Sequence, residues 1–319
     1  YSMNFTEETE ELLKFLMSSI DKFSFKKSPL KQKKIDNILK MMYFDIKNAN
    51  MWANAEKMKK KIKTDLIESV GRSGIKPSWA IEESKYIPSF IQDYLIENNK
   101  GYVIYRFSIG DRDIEIYFGL LNNNDLISCG KFDNYVLKMM TWLKIALAYA
   151  PDKCSRKLKI YVYLTPFKKT LPGNQFHVLS QNHCNSAVTI SCSPDGEIII
   201  YRKEEFFKVF VHETFHTLGL DFSTMALGKF NECVENIFPI KSEYNLFEAY
   251  SEFWAAMMNI IISSYLLLED KSDEDTFYLY CEVCLRFEQL FSLFQLVKIL
   301  DFMGLQYENL YSCDKISLT

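Results

Sequence analysis

Apolar positions recur at helical spacing through roughly the first hundred residues, and at Gly101 the pattern changes to alternation rich in β-branched and aromatic residues. The first regime predicts helices over 7–23, 30–70 and 86–98, with a break at 71–78. The second predicts strands over 102–109 and 114–121, joined as a hairpin by Gly110-Asp111-Arg112-Asp113. A strongly apolar helix is expected over 132–150 and a buried strand over 158–164. Residues 186–192 should pair with 197–201 through Ser193-Pro194-Asp195-Gly196, and that hairpin leads straight into a further helix. Gly219 suits the end of this helix. An irregular segment, a long helix over 244–268 and further helices to about 303 complete the pattern. The fold class is therefore α+β. An N-terminal helical region, 3–98, precedes a domain over 101–319, with a small mixed sheet and one special helix in 101–220 and a helical bundle in 240–319.

Composition narrows this picture only in places. With 48% hydrophobic and 15% aromatic residues the chain is globular, and 11 Gly and 8 Pro leave few helix breakers. A net charge of -3 gives no reason to expect a nucleic-acid partner. The cluster Lys57, Lys59, Lys60, Lys61 and Lys63 is flanked by acidic residues and reads as a solvated helix face. The longest apolar run, 253–268, is interrupted by Asn259, Ser263 and Ser264, so a buried helix is expected and no membrane span. Eight cysteines show no framework spacing and the start carries no signal-like segment, which points to reduced thiols and an intracellular, cytoplasmic location. Cys281 and Cys284 read as a buried helix pair rather than a redox or metal motif.

The chemistry is concentrated in His212-Glu213-Thr214-Phe215-His216, on the helix after the hairpin. Residues four apart share a helix face, so both imidazoles can reach one metal ion while Glu213 projects beside them as a general base. Such a site takes a third protein ligand. A metzincin-type ending would put glycine at 219, which is present, and histidine at 222, which is Phe222, leaving Asp221 one residue early. The other candidate is Glu248, on the next long helix among Phe247, Ala249, Phe253 and Trp254, where an unpaired carboxylate would be costly. Glu232 and Glu235 in the intervening segment are weaker competitors.

With Glu248-Ala249-Tyr250-Ser251-Glu252 downstream of the histidine pair, the chain resembles the gluzincin metallopeptidases, the group of thermolysin and the clostridial neurotoxin light chains. The resemblance covers about 185–255. It implies one Zn2+ held by His212, His216 and Glu248, with Glu252 fixing a histidine tautomer and Glu213 as base for a zinc-activated water that hydrolyses a peptide bond. Upstream, Asn185-Ser186-Ala187-Val188 is similar to the substrate-binding edge strand of such enzymes, with Asn185 and Ala187 contacting a peptide backbone. The oxyanion partner stays open between Tyr244, Tyr250 and others, and His177 and His183 read as loop residues. The richness in Lys, Asn, Ile and Phe suggests a virus-associated metallopeptidase from a large DNA virus. The expected partner is a protein or peptide substrate; the alternative is a catalytically inactive binding protein on the same scaffold. Oligomeric state, substrate sequence and endo- or exopeptidase action do not follow from the residues.

Overall fold

The structure, a computed structural model, describes residues 7–19, 29–59, 61–68, 85–121, 130–174, 177, 179–239 and 244–311. In chain order the elements are α1 (Glu7–Ser19), α2 (Pro29–Met58), β1 (Lys63–Glu68), α3 (Ser89–Asn98), β2 (Gly101–Ile109), β3 (Arg112–Gly119), α4 (Asp133–Ala146), β4 (Lys157–Val162), α5 (Gln181–Cys184), β5 (Ala187–Thr189), β6 (Asp195–Ile200), α6 (Phe206–Thr217), α7 (Gly228–Ile237), α8 (Leu246–Leu267) and α9 (Glu274–Phe302). This is an α+β fold with a C-terminal helical region, as the periodicity predicts. The expected break at 71–78 lies outside the described residues.

The chain divides into two compact units. One comprises Tyr1–Phe44, Leu227–Ser242 and Ser263–Leu318; the other comprises Asp45–Ala226 with Glu243–Ile262. In the first, α1 packs on α9. Tyr43 stacks edge-on against Tyr265 and tilts against Phe277, and its hydroxyl donates to the Lys271 carbonyl at 2.7 Å. Cys281 is buried in α9, as the helix-pair reading expects, and burial pushes its thiol up to about 12, which makes it inert.

The second unit is built on a six-stranded sheet of order β1-β2-β3-β4-β6-β5. β1, β2 and β3 run antiparallel, β4 and β6 continue parallel to β3, and β5 closes the far edge antiparallel to β6. The parallel step from β3 to β4 requires a crossover, and the apolar helix α4 supplies it. One face buries Tyr102, Ile104, Tyr117, Tyr161, Ile199 and Tyr201 against Ile91 and Leu95 of α3. The alternate residues of the same strands line the other face, where Phe118 stacks on Phe132. There α4 packs on α6, with Trp142 donating its indole N–H to Thr214 Oγ1 at 2.7 Å and its ring stacked on Phe215.

Two expectations need correction. The helix expected over 30–70 stops at Met58, and Lys63–Glu68 is a strand paired with β2 from Lys63↔Arg106 to Glu68↔Gly101. Thr64, Leu66 and Ile67 have the branched, extended preference of a strand, and pairing to a neighbour distant in sequence overrides the weaker helical periodicity. The thiols are not all free: Cys154 and Cys192 form a disulfide, drawn together where β4 and β6 begin side by side. Among the described residues no helix is long and apolar enough to cross a membrane.

Candidate metal centre

The site hangs on how α6 begins and ends. β6 delivers the chain into it within a few residues, and its buried face, including Phe210, Val211, Thr214 and Phe215, fixes its rotation against the sheet and α4. Its C-terminus is a Schellman turn. Gly219 adopts φ +63°, its N–H donates to the His216 carbonyl at 3.1 Å, and the Leu220 N–H donates to the Phe215 carbonyl at 2.8 Å. A side chain at 219 would be strained in this conformation, and its Cβ would meet Cys154 Sγ at 3.0 Å. The turn reverses the chain and throws Asp221 back onto the helix it has just left.

Three ligand atoms converge on the open side of α6. His212 Nε2 and His216 Nε2 stand 3.1 Å apart, and Glu248 Oε2 of α8 lies 3.2 Å from the first and 3.4 Å from the second. Two imidazole nitrogens and a carboxylate oxygen facing one another this closely need a cation or protons between them, and the group could hold one metal ion. The site residues are drawn from α6 and the first two turns of α8, which carries Glu248 and Glu252 one turn apart on one face.

Each imidazole has a carboxylate behind it. The outer nitrogen of His216, Nδ1, lies 2.6 Å from Asp221 Oδ2; the other oxygen of Asp221 accepts from the Ser223 hydroxyl at 2.8 Å and its N–H at 3.2 Å. Asp221 is therefore neither the missing metzincin-type ligand nor free. It is a buried acceptor, its side chain 4% exposed, locked by its own turn. His212 Nδ1 is 3.2 Å from Glu252 Oε2, close enough for charge attraction but without the alignment of a hydrogen bond. Glu252 Oε1 is held at 2.6 Å by Lys208, one turn before His212 on α6.

The electrostatics follow from this ring of acids. Burial opposes charging His212 and His216, but Glu248 and Glu252 outweigh it at the first and raise it to about 9, while Asp221 and Glu248 raise the second to about 10. The same contacts with His212 and His216 hold Glu248 down at about 2. Against the penalty of burial, His212 and Lys208 hold Glu252 at about 2 as well. Glu213 behaves in the opposite sense. It is buried, 8% exposed, and desolvation pushes its carboxyl up despite the nearby histidines. The carboxyl groups of the cluster are thus driven apart, Glu248 and Glu252 toward the anion and Glu213 toward the protonated form.

The remaining sequence candidates fall elsewhere. Ala187 pairs with Ile200 on β5, the last strand of the sheet, which packs against α6; the Asn185 N–H closes α5 on the Gln181 carbonyl at 2.9 Å. His183 turns back on Ser180, its Nδ1 at 3.0 Å from the hydroxyl. Glu232 and Glu235 lie exposed on α7, a helix inside the segment expected to be irregular, and neither joins the ligand group. Tyr250 packs its ring on Phe215 and Phe222. Sequence reading passed over Lys208, although its place four residues before His212 put it on the same face. Comparison with protein families, curated proteins and solved structures finds no match.

Proposed function

We propose that the protein is a zinc-dependent metallopeptidase, with His212, His216 and Glu248 as the zinc ligands and Glu213 as the general base. The observation that carries this reading is the triangle of ligand atoms with 3.1, 3.2 and 3.4 Å edges. Zinc bound at about 2.0–2.1 Å spaces its ligand atoms about 3.3 Å apart, so the triangle fits the spacing of three zinc ligands and His212, His216 and Glu248 would hold the ion. Donor chemistry agrees: two imidazoles and one carboxylate suit zinc better than the oxygen-only sets that calcium and magnesium prefer.

Bound zinc would supply Lewis acidity, polarising a carbonyl and acidifying a water molecule. The chain's own residues supply the proton traffic. As the water oxygen bonds to the carbonyl carbon, Glu213 takes the proton it sheds; as the carbon–nitrogen bond breaks, Glu213 returns that proton to the departing amine. Asp221 holds His216 with Nε2 inward, and Glu252 lies behind His212 as a charge that favours the same orientation. β5 is the edge of the sheet and packs on α6, and an edge strand can hold an extended peptide by main-chain hydrogen bonds.

Glu213→Gln tests the assignment. The variant should keep one equivalent of zinc and lose hydrolysis of a casein or peptide-library substrate that the wild type cuts. Turnover that survives in Glu213→Gln, or zinc absent from the wild type, would overturn it.

A further inference from the structure

We infer that Arg202 is a receptor for a carboxylate, set at the start of the edge strand β5, and that it gives the protein a preference for peptides carrying that group. The inference rests on the peptidase reading only for the direction in which a peptide lies.

Arg202 lies two residues beyond the end of β6. The pairing Ala187↔Ile200 continues one step further through the Tyr201 N–H, which donates to the Ser186 carbonyl at 3.0 Å, so Asn185 stands across from Arg202. The side chain is 1% exposed and among the largest fully buried ones in the molecule. Of its donors, Nη2 reaches the Asn182 carbonyl in the α5 turn at 2.8 Å; Nε and Nη1 are buried and have no hydrogen-bond partner among the described residues. Glu204 is near enough to be felt, but its Oε2 already accepts from the Lys169 N–H at 2.7 Å. No carboxylate among the described residues lies within ion-pair distance of Arg202.

A covered guanidinium with two idle donors is an unfavourable arrangement. Burial draws its pKa below the ordinary value, the direction expected of a cation short of counter-charge. Arginine is the side chain whose fork matches a carboxylate with two parallel hydrogen bonds, through Nε with Nη2 or Nη1 with Nη2; here Nε and Nη1, one member of each edge, are free, and Nη2 carries a second N–H beside the one given to Asn182. The Asn182 carbonyl that Nη2 reaches belongs to α5, a single turn in which Gln181, Asn182 and Cys184 are exposed. A peptide extended along β5 would bring a group at one end of the strand to this fork. Two sources share the chemistry, an Asp or Glu side chain within the peptide and a free carboxyl terminus. The first would make the protein an endopeptidase that selects acidic residues, the second a carboxypeptidase.

The test uses full-length Glu213→Gln protein, with and without Arg202→Met or Arg202→Lys added, and three labelled alanine–phenylalanine peptides of equal length. One is neutral and blocked at both ends, one is blocked but carries a single Glu, and one has a free carboxyl terminus. Fluorescence anisotropy should show one of the carboxylate peptides binding about tenfold or more tighter than the neutral one, as a charge-assisted pair predicts. Which one it is names the source. Arg202→Met should abolish the difference and Arg202→Lys should retain part of it. Equal affinity for all three, binding of none, or selectivity that survives Arg202→Met overturns the inference. Thermal melting of the same samples without peptide provides the control. Arg202→Met should melt no lower than its parent, because an uncompensated charge has been removed; a clear drop would make Arg202 a strut for α5 and overturn the inference. Zinc content separates the two readings: selectivity without zinc leaves the carboxylate site standing and removes the peptidase, and zinc without selectivity does the reverse.

Discussion

Removing the Asp221 carboxylate should weaken metal binding without abolishing it. Asp221 Oδ2 sits 2.6 Å from His216 Nδ1, and Ser223 fixes the other oxygen through two further hydrogen bonds. The carboxylate therefore does two things: it accepts the Nδ1 proton, so that Nε2 carries the lone pair, and it holds the ring plane. Substitutions of such outer partners cost about 10–100-fold in metal affinity. Asp221→Asn can still accept at Oδ1 but brings no charge, so it belongs at the lower end, about tenfold or about 1.4 kcal/mol. Asp221→Ala loses orientation as well and belongs at the upper end, about 100-fold or about 2.7 kcal/mol. Glu248→Ala, which removes a ligand atom 3.2 and 3.4 Å from the two imidazole nitrogens, should lose more than either.

The assay is competition for zinc against a chromophoric chelator at fixed pH, run on wild type and the three variants, with circular dichroism to confirm folding. Two results would refute the reasoning. Affinity unchanged in Asp221→Ala would mean that the 2.6 Å contact does not orient the ligand. Loss equal to that of Glu248→Ala would mean that Asp221 coordinates the metal itself, as the metzincin-type spacing first suggested.

If the group holds zinc as proposed, the metal displaces protons from imidazoles raised to about 9 and 10, so its apparent affinity should climb as pH rises from 6.5 toward 9; a flat profile in the same competition assay would contradict the charge pattern. In the metal-free protein the sign is the same as for any raised base: the stabilisation is complete below the ordinary histidine value near 6.5 and is lost as pH passes through 9–10, so melting temperature of chelator-treated protein should fall over that window. Gly196→Ala would drive a methyl into Ser155 Oγ, which is pinned by its bond to the Thr217 carbonyl, so urea denaturation should show a loss of about 1–3 kcal/mol. Replacing Cys154 and Cys192 by serine opens a link spanning 38 residues and should lower stability by about 2–4 kcal/mol without reductant, while reductant should bring the wild type down to the double variant.

The parts of the molecule legible in the sequence are those whose signal is local. Histidines four apart on a helix, the hairpin feeding that helix, the glycine that ends it and the long helix bearing Glu248 and Glu252 all follow from short-range periodicity and turn chemistry. What stayed hidden depends on pairing at a distance. β1 is a strand only because β2, more than thirty residues later, offers it an edge. Cys154 and Cys192 carry no spacing rule and meet only because β4 and β6 are neighbours in the sheet. Arg202 looks like an ordinary strand-end cation until burial leaves two of its nitrogens without partners.

Asp221 shows how a correct observation in sequence can carry the wrong consequence. Glycine three residues after His216 is what a metzincin-type loop requires, and the residue is there. Its physical work is to adopt φ +63° and close a Schellman turn, and that turn determines where the next acidic side chain points. A loop passing onward from a glycine could carry a third ligand to the metal; one folding back places its carboxylate behind the histidine instead. The third place in the group that could hold a metal ion then goes to a distant helix: α8 brings Glu248 there, while Glu252, one turn on, stands behind His212. The two imidazoles thus each have a carboxylate at the outer nitrogen, drawn from unrelated segments and unequal in grip: Asp221 is covered and 2.6 Å from His216, Glu252 is half-exposed and 3.2 Å from His212, and Glu248 is shared between the inner nitrogens.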